Sequence, residues 1–327
     1  MKRKRILSGM QPSGPLHLGN YHGALKNWLA LQEDYECFYF IADWHSLTTL
    51  YENPQLVRKY SFEVAVDWLA SGLDPEKCTL FVQSRIPEHA ELHLILSMIV
   101  PVPWLERNPT YKEKQTEVKG VDMSSYGFLG YPVLQTADIV LYKADLVPVG
   151  IDQAPHLEIS REIIRRFHSF YKKVFIEPEA KISDIPKLNG LDGRKMSKSY
   201  SNAIYLSDTE KDIAQKIQSM FTDPARLRRT DPGDPDVCNL FPFHKIYSSR
   251  ETQEEIIPAC RTAQIGCGDC KKKLTQSMLA GMAPILERRQ EFVAKPREVE
   301  EILAAGTKKA QAIARATLQQ TKDAMKL

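Results

Sequence analysis

Residues 5–23 read RILSGMQPSGPLHLGNYHG, and the rest of the chain is organised around them. Ile6 and Leu7 supply an apolar strand, Gly9, Pro12, Gly14 and Pro15 break it, and Gly19-Asn20 open a helix that runs toward Leu31. A buried strand that enters a helix N-terminus through glycines is an anion site, because free backbone N–H groups and the helix dipole both favour phosphate. His17 and Asn20, three residues apart, place two side-chain donors on one face of a helical turn. Gly19 between them leaves room for a flat ring, which suits a nucleotide better than a lone phosphate.

Working outward, strand-like stretches at Glu36–Ala42, Thr79–Gln83 and Val147–Gly150 alternate with helical patterns. One helix starts at Pro54, carries Val57, Tyr60, Val64 and Trp68 on one stripe, and ends at Ser71-Gly72. Others cover Glu88–Met98, Leu129–Lys143 and the stretch from Asp152 to Arg166. This alternation predicts an α/β fold, a parallel sheet with helices on both faces, with ligands at the carboxyl ends of the strands near Gln11, Asp43 and His45. Arg107–Gly127 and Lys181–Ser201 read as loops, the first as a mobile one, and residues from about Ser207 on as helical. At 327 residues two domains are expected. A net charge of +3 does not announce a nucleic-acid binder, although Arg226, Arg228 and Arg229, Lys271–Lys273, and Lys308-Lys309 cluster. With no signal-peptide pattern and no apolar run of about 20 residues, a cytoplasmic protein is expected, with no membrane partner and reduced thiols.

A second motif is Lys195-Met196-Ser197-Lys198-Ser199, preceded by Asp192-Gly193-Arg194. Two lysines three apart in a glycine- and serine-flanked loop can neutralise a polyphosphate whose charge spreads on reaction. Alone it reads more readily as a basic surface loop; after PLHLGN it is the second of two phosphate devices. Cys238, Cys260, Cys267 and Cys270 form C-x21-C-x6-C-x2-C, four of the six cysteines, and the spacing leaves Zn²⁺, a [4Fe–4S] cluster or unligated thiols open. Cys37 and Cys78 read as ordinary buried thiols. Asp138 sits inside an apolar run between Ala137 and Ile139, where a carboxylate needs a donor partner such as an indole N–H.

PLHLGN and KMSKS together resemble the two signatures of the class I aminoacyl-tRNA synthetases, with Asn20 where the first signature usually ends in histidine. GMQPSGPLHLGNYHGA, YFIADWHSLTT, GYPVLQTADIVLY and VPVGIDQAPHLEISREI resemble the bacterial tryptophanyl branch, so the likeness covers nearly the whole chain. The wording at Gly130–Tyr142 and Phe40–Thr49 argues against the tyrosyl branch, and the intact signatures argue against a non-catalytic RNA-binding paralogue. The cysteine-bearing last 120 or so residues argue against a small-molecule nucleotidyltransferase.

The resemblance implies a Rossmann catalytic domain at 1–205, with a connective and dimer-interface insertion at about 100–180, and an all-α anticodon-binding domain at 206–327. It implies a homodimer acting on ATP, L-tryptophan and tRNA(Trp), with Mg²⁺. It places His17, Asn20, Lys195 and Lys198 in catalysis. ATP would meet Gln11, Pro12, Ser13, Gly19, Asn20, Gly150, Ile151, Asp152, Leu188, Lys195, Met196, Ser197, Lys198 and Ser199. Tryptophan would meet Asp138, Tyr131, Gln135, Gln153 and His45, with Asp138 on the indole N–H. Gln135, methionine in some members, would make the pocket wall more polar. Some members carry a [4Fe–4S] cluster on a closely similar cysteine spacing whose first interval is one residue longer, which favours the cluster over zinc. With asparagine at position 20, pH dependence is expected to be set by His17 alone.

Overall fold

The computed structural model describes residues 3–108, 124–150, 154–182 and 188–327, without the side chains of 154–156 and 199. Strands β1 (Arg5–Met10), β2 (Glu36–Ile41), β3 (Cys78–Val82), β4 (Leu146–Val149) and β5 (Glu179–Ile182) form one parallel sheet in the order β3-β2-β1-β4-β5. Strands β2 and β3 are apolar and buried on both faces because both are covered. Ile6, Tyr39 and Ile41 enter one core, whereas Leu7, Phe38 and Phe40 enter the other, as the period of 2 requires. Strand order reverses between β1 and β4, so a crevice opens at the carboxyl end of β1, where the opening motif lies.

The β1 crossover is α1 (Leu18–Asn20), a π-helical turn (Tyr21–Leu25) and α2 (Lys26–Asp34). Next come α3 (Asp43–Leu50) and α4 (Pro54–Ser71), before β3. Pro54 starts α4, and Gly72 ends it at φ +109°, a backbone region open to glycine. Helices α5 (Glu88–Ser97), α6 (Val102–Glu106), α7 (Tyr126–Leu129) and α8 (Tyr131–Leu141) precede β4, and α9 (Ala154–Phe170) precedes β5. The remainder is helical: α10 (Glu210–Ser219), α11 (Phe241–Tyr247), α12 (Arg250–Arg261), α13 (Cys267–Ala294) and α14 (Pro296–Met325).

These elements match the α/β expectation, with two corrections. The sequence reading placed Glu179–Ile182 partly in a loop, yet this segment pairs with β4 as the edge strand. Its charged ends and partly exposed pattern fit an edge, where only one neighbour must be satisfied. The expected helix after Gly19 is interrupted by the π turn. The loop expected at Arg107–Gly127 lies mostly outside the described residues; its last part starts α7.

The C-terminal helices fold back on the sheet side of the chain. On α13, Leu274, Met278 and Met282 belong to the same buried cluster as Ile6 and Trp28. Helix α14 presses Gly306 onto β3, where an added Cβ would stand 1.9 Å from the Leu80 carbonyl oxygen.

Candidate active site

His17 is the N-cap of α1, one residue before the helix begins. Its Nδ1 accepts from the Asn20 N–H at 3.2 Å, and Asn20 Oδ1 accepts from the His17 N–H at 3.1 Å, a reciprocal capping box. The two side chains therefore face each other, not side by side on a helical face. Each keeps a donor: with Nδ1 accepting, a neutral His17 carries its proton on Nε2, and Asn20 retains its NH₂. Burial, then the Lys198 charge, lowers His17 to about 4. This corrects the expectation that His17 sets the pH dependence: the ring is neutral throughout the physiological range. Gly19 has a second duty, since a Cβ there would lie 2.9 Å from His17 Nδ1 and displace the capping ring.

The KMSKS loop reaches this turn through both backbone and side chain. Leu18 N–H donates to the Ile204 carbonyl at 2.9 Å and Leu206 N–H to the Leu16 carbonyl at 2.8 Å, with His17 and Tyr205 paired antiparallel. Lys198 Nζ donates to the Gly14 carbonyl at 2.9 Å and to Ser13 Oγ at 3.3 Å. Burial lowers its ammonium to about 8, and Asp67 acts in the opposite sense. Lys195 is exposed, while Met196 and Leu188 are buried beneath the loop. Asn202, absent from the sequence reading, organises the loop. It accepts from Ser197 N–H at 2.9 Å and donates to Asp192 Oδ1 at 2.7 Å and to the Lys195 carbonyl at 3.2 Å. That bond and the Arg194 guanidinium hold Asp192 at about 2. Pro12 is buried, Gln11 and Ser13 are exposed, and Gly150 ends the β4 segment. Ile151, Asp152 and Gln153, and the side chain of Ser199, lie outside the description.

Asp138 is the centre of a second cluster. Tyr131, Gln135 and Asp138 occur at i, i+4 and i+7 of α8 and so share one face. Asp138 is 1% exposed and accepts at both oxygens. His45 Nε2 lies 2.8 Å from Oδ2, His89 Nδ1 lies 2.6 Å from Oδ1, and Gln83 Nε2 spans both at 2.8 and 2.9 Å. Burial opposes ionisation, but the hydrogen bonds from His45 and His89 outweigh it and hold the carboxyl well below the usual range. Tyr142 OH meets His89 Nε2 at 2.7 Å. Burial keeps that phenol protonated, so Tyr142 donates to His89 Nε2, leaving Nδ1–H to donate to Asp138. His45 is buried and faces Asp138 and the Tyr131 ring, the latter at 6.5 Å. Gln83, His89 and Tyr142 were missed; a buried aspartate needing several donors was the signal, but nothing local pointed to these partners. Tyr131 OH accepts from Asn108 Nδ2 at 2.9 Å.

The four clustered cysteines also converge. Cys260 ends α12, Cys267 and Cys270 occupy the first turn of α13, and Cys238 precedes α11. Arg226 Nη1 lies 3.9 Å from both Cys260 Sγ and Cys267 Sγ, and Cys270 Sγ lies 3.3 Å from His244 Nε2. After burial, the other three thiols are the next causes that push Cys270 up, to about 12. Four soft sulfurs with N–H donors around them suit a thiolate-held metal or cluster. Among the described residues, however, no three side chains stand at metal-ligating distance.

The family model for tRNA synthetases class I (W and Y) matches residues 1–283. A tryptophan–tRNA ligase of Thermotoga maritima is 51% identical over 325 residues, covering 99% of both chains. Another, from Aquifex aeolicus, is 41% identical and covers 99% of this chain and 100% of its own. The chain belongs to the bacterial tryptophanyl-tRNA synthetases. The enzyme is a class I tryptophan–tRNA ligase. Its fold agrees with the tryptophanyl-tRNA synthetase of Campylobacter jejuni, solved in complex with ADP and tryptophan: TM-score 0.91, 36% identity, 99% of this chain and 100% of that one. No described helix is long and apolar enough to cross a membrane.

Proposed function

We propose that the enzyme makes tryptophanyl-adenylate and pyrophosphate at the junction of the 11–20 turn and the 195–199 loop, then transfers tryptophan to tRNA(Trp). The contact of Lys198 with the Gly14 carbonyl carries this reading, since it joins the two phosphate devices at the switch point of the sheet. His17 Nε2–H and the Asn20 amide donate to ATP phosphates at the start of α1. Lys195 and Lys198 stabilise the departing pyrophosphate, and Mg²⁺ shares that charge. Gln11, Pro12, Ser13, Gly19, Leu188, Met196, Ser197 and Ser199 border the nucleotide, with Gly150, Ile151 and Asp152 toward the ribose.

Tryptophan enters against α8. Its indole N–H is taken by Asp138, with Gln83 yielding one of its two contacts, because a carboxylate offers about four acceptor positions and all are occupied without substrate. Tyr131 and Gln153 hold the substrate ammonium, and Gln135 and His45 wall the ring. A phenylalanine ring brings no donor to replace the Gln83 contact it would displace, and a tyrosine ring brings its donor to a different place. Pyrophosphate exchange with each amino acid tests this: exchange with tyrosine but not tryptophan overturns it.

Cys238, Cys260, Cys267 and Cys270 would hold a [4Fe–4S] cluster, with zinc as the alternative. When bound, the group cross-links three parts of the C-terminal region. Arg226 places its guanidinium N–H, and His244 its Nε2, beside the sulfurs. Protein purified without oxygen should absorb near 400 nm with about four irons per chain; a colourless preparation with one zinc selects the alternative.

Residues 1–205 make up the catalytic domain in this proposal, with 100–180 as its connective segment, and 206–327 reads the anticodon. The enzyme works as a cytoplasmic homodimer. Exposed Leu94, Met98, Val102 and Tyr126 supply the kind of apolar surface a second copy covers.

A further inference from the structure

Two of the donors around Asp138, Gln83 and His89, come from one short segment: the 3₁₀ turn Gln83–Arg85 and the first turn of α5. That segment is weakly held from within. No side chain caps the N-terminus of α5, which follows Pro87, so its first turn lacks the bond that usually stops fraying. Gln83 Oε1 is buried with no hydrogen-bond partner among the described residues, so Asp138 orients that amide and not the reverse. The outer side of the segment is gripped by α14. Arg85 donates to Glu300 at 2.6 and 3.0 Å, Glu88 accepts from Arg315 Nε at 2.8 Å and from Gln311 Nε2 at 3.1 Å, and Lys322 pairs with Glu91. Glu300, Gln311, Arg315 and Lys322 fall within about 60° of one another at about 100° per residue, on one stripe of α14. The adjoining stripe, Ala310, Ala314 and Leu318, enters the same core as Leu92 of α5.

We propose that Gln311 and Arg315 of α14, acting through Glu88, are positioning residues for tryptophan recognition: they hold the first turn of α5 so that His89 Nδ1–H stays on Asp138 Oδ1. The three contacts along the stripe are unequal. Arg85–Glu300 and Glu91–Lys322 are open to solvent on both sides, and such pairs contribute little. Glu88 is different, because it is only 7% exposed and takes donors from α14 at both oxygens. Without them a buried carboxylate is left unsatisfied in a turn that has no cap, and the turn opens toward water. His89 is the next residue. Its 2.6 Å bond to Asp138 and its 2.7 Å contact with Tyr142 hold only while that turn is closed. Asp138 then keeps one orientation, with a fixed acceptor ready for a ring N–H. The inference rests on the reading that Asp138 takes the indole N–H, and deepens it. With α14 inside 206–327, the amino-acid pocket is braced from outside the proposed catalytic domain.

ATP–pyrophosphate exchange is measured against tryptophan, phenylalanine and ATP for Gln311→Leu/Arg315→Leu, Glu88→Gln, Arg315→Lys and Asp138→Asn, with thermal melting to verify folding. Proton NMR of the His89 Nδ1–H, assigned by its loss in His89→Gln, reports the bond to Asp138 directly. Expected in the α14 double is a rise in KM for tryptophan of about three- to tenfold, with KM for ATP unchanged and the preference for tryptophan over phenylalanine narrowed. Glu88→Gln should show a smaller change of the same kind. In both, the His89 proton should move upfield and exchange faster with solvent. Arg315→Lys keeps a cation within reach of Glu88 and should stay close to the parent in both readouts. An unmoved His89 signal or a wild-type KM for tryptophan in the folded double overturns the proposal. Equal losses for tryptophan and ATP overturn it too, as does an Arg315→Lys loss as large as that of the double. Should the double not fold, Glu88→Gln is judged by the same criteria. Asp138→Asn with wild-type tryptophan kinetics defeats the Asp138 reading instead.

Discussion

The phosphate clamp and the Asp138 cluster stand at the carboxyl end of the same sheet and are built in opposite ways. The clamp is made of loops and backbone, and in the proposed reading its cations meet the polyphosphate: Lys195 is exposed and Lys198 rests on a carbonyl and a hydroxyl. The Asp138 cluster is made of helix faces and the end of β3, and its one charge is surrounded by donors of the protein itself. The difference follows from what each must do. A site for a developing charge needs donors that are not yet satisfied, so that the gain arrives in the transition state. A site that tells one ring from another needs an acceptor fixed in advance, so that only the right ring's donor replaces the protein donor it displaces.

The largest expected effect is at Lys195. Lys195→Ala should lower the adenylation rate by about 10²–10³-fold with tryptophan affinity nearly unchanged, measured by single-turnover kinetics and equilibrium binding. Equal losses in both would erase the contrast between the two regions. Next, Asp138→Asn should reverse the pattern, lowering kcat/KM for tryptophan about 10–100-fold and narrowing discrimination against phenylalanine, with KM for ATP unchanged. A smaller effect is expected in pH. Activity should fall as pH rises through about 8, where Lys198 loses its proton, and His17→Asn should leave the profile between pH 6 and 8 unchanged in shape, since His17 is already neutral there. The depressed Asp138 carboxyl adds a stability term of known sign. Its contribution is complete above the unfolded carboxyl value of about 4 and fades as pH falls below it, so Asp138→Asn should be less acid-sensitive in urea melts than the parent. The smallest catalytic effect is at a distance from both regions. Gly306→Ala drives a methyl group into the Leu80 carbonyl, and should lower stability by about 1–3 kcal/mol while the folded fraction keeps its KM for ATP.

The two regions were also unequally legible in the sequence. PLHLGN and KMSKS are contiguous strings, so their residues were found; what stayed hidden was geometry, since nothing in HLGN says that His17 caps α1 and so stays fixed in one tautomer. Asp138 stood out as a charge in an apolar run, and the need for a donor was clear. Gln83, His89 and Tyr142 answer that need from the end of β3, α5 and the end of α8, and only folding brings them there. Asn202 was unreadable for the same reason. The missed strand β5 is a different failure: four residues with charged ends carry too little apolar signal, and its pairing with β4 supplies the stability that its composition does not.

The pairing of Leu16–Leu18 with Ile204–Leu206 has a kinetic consequence. It ties the exit of the KMSKS loop beside His17, so only a short tether separates Lys195 from the anchored Tyr205. The Lys195 ammonium does not have to find the phosphates from bulk solution. It searches a volume set by that tether, which corresponds to an effective concentration in the millimolar range or above. Lengthening the stretch between Asn202 and Ile204 should dilute that local cation while leaving every side chain of the clamp in place.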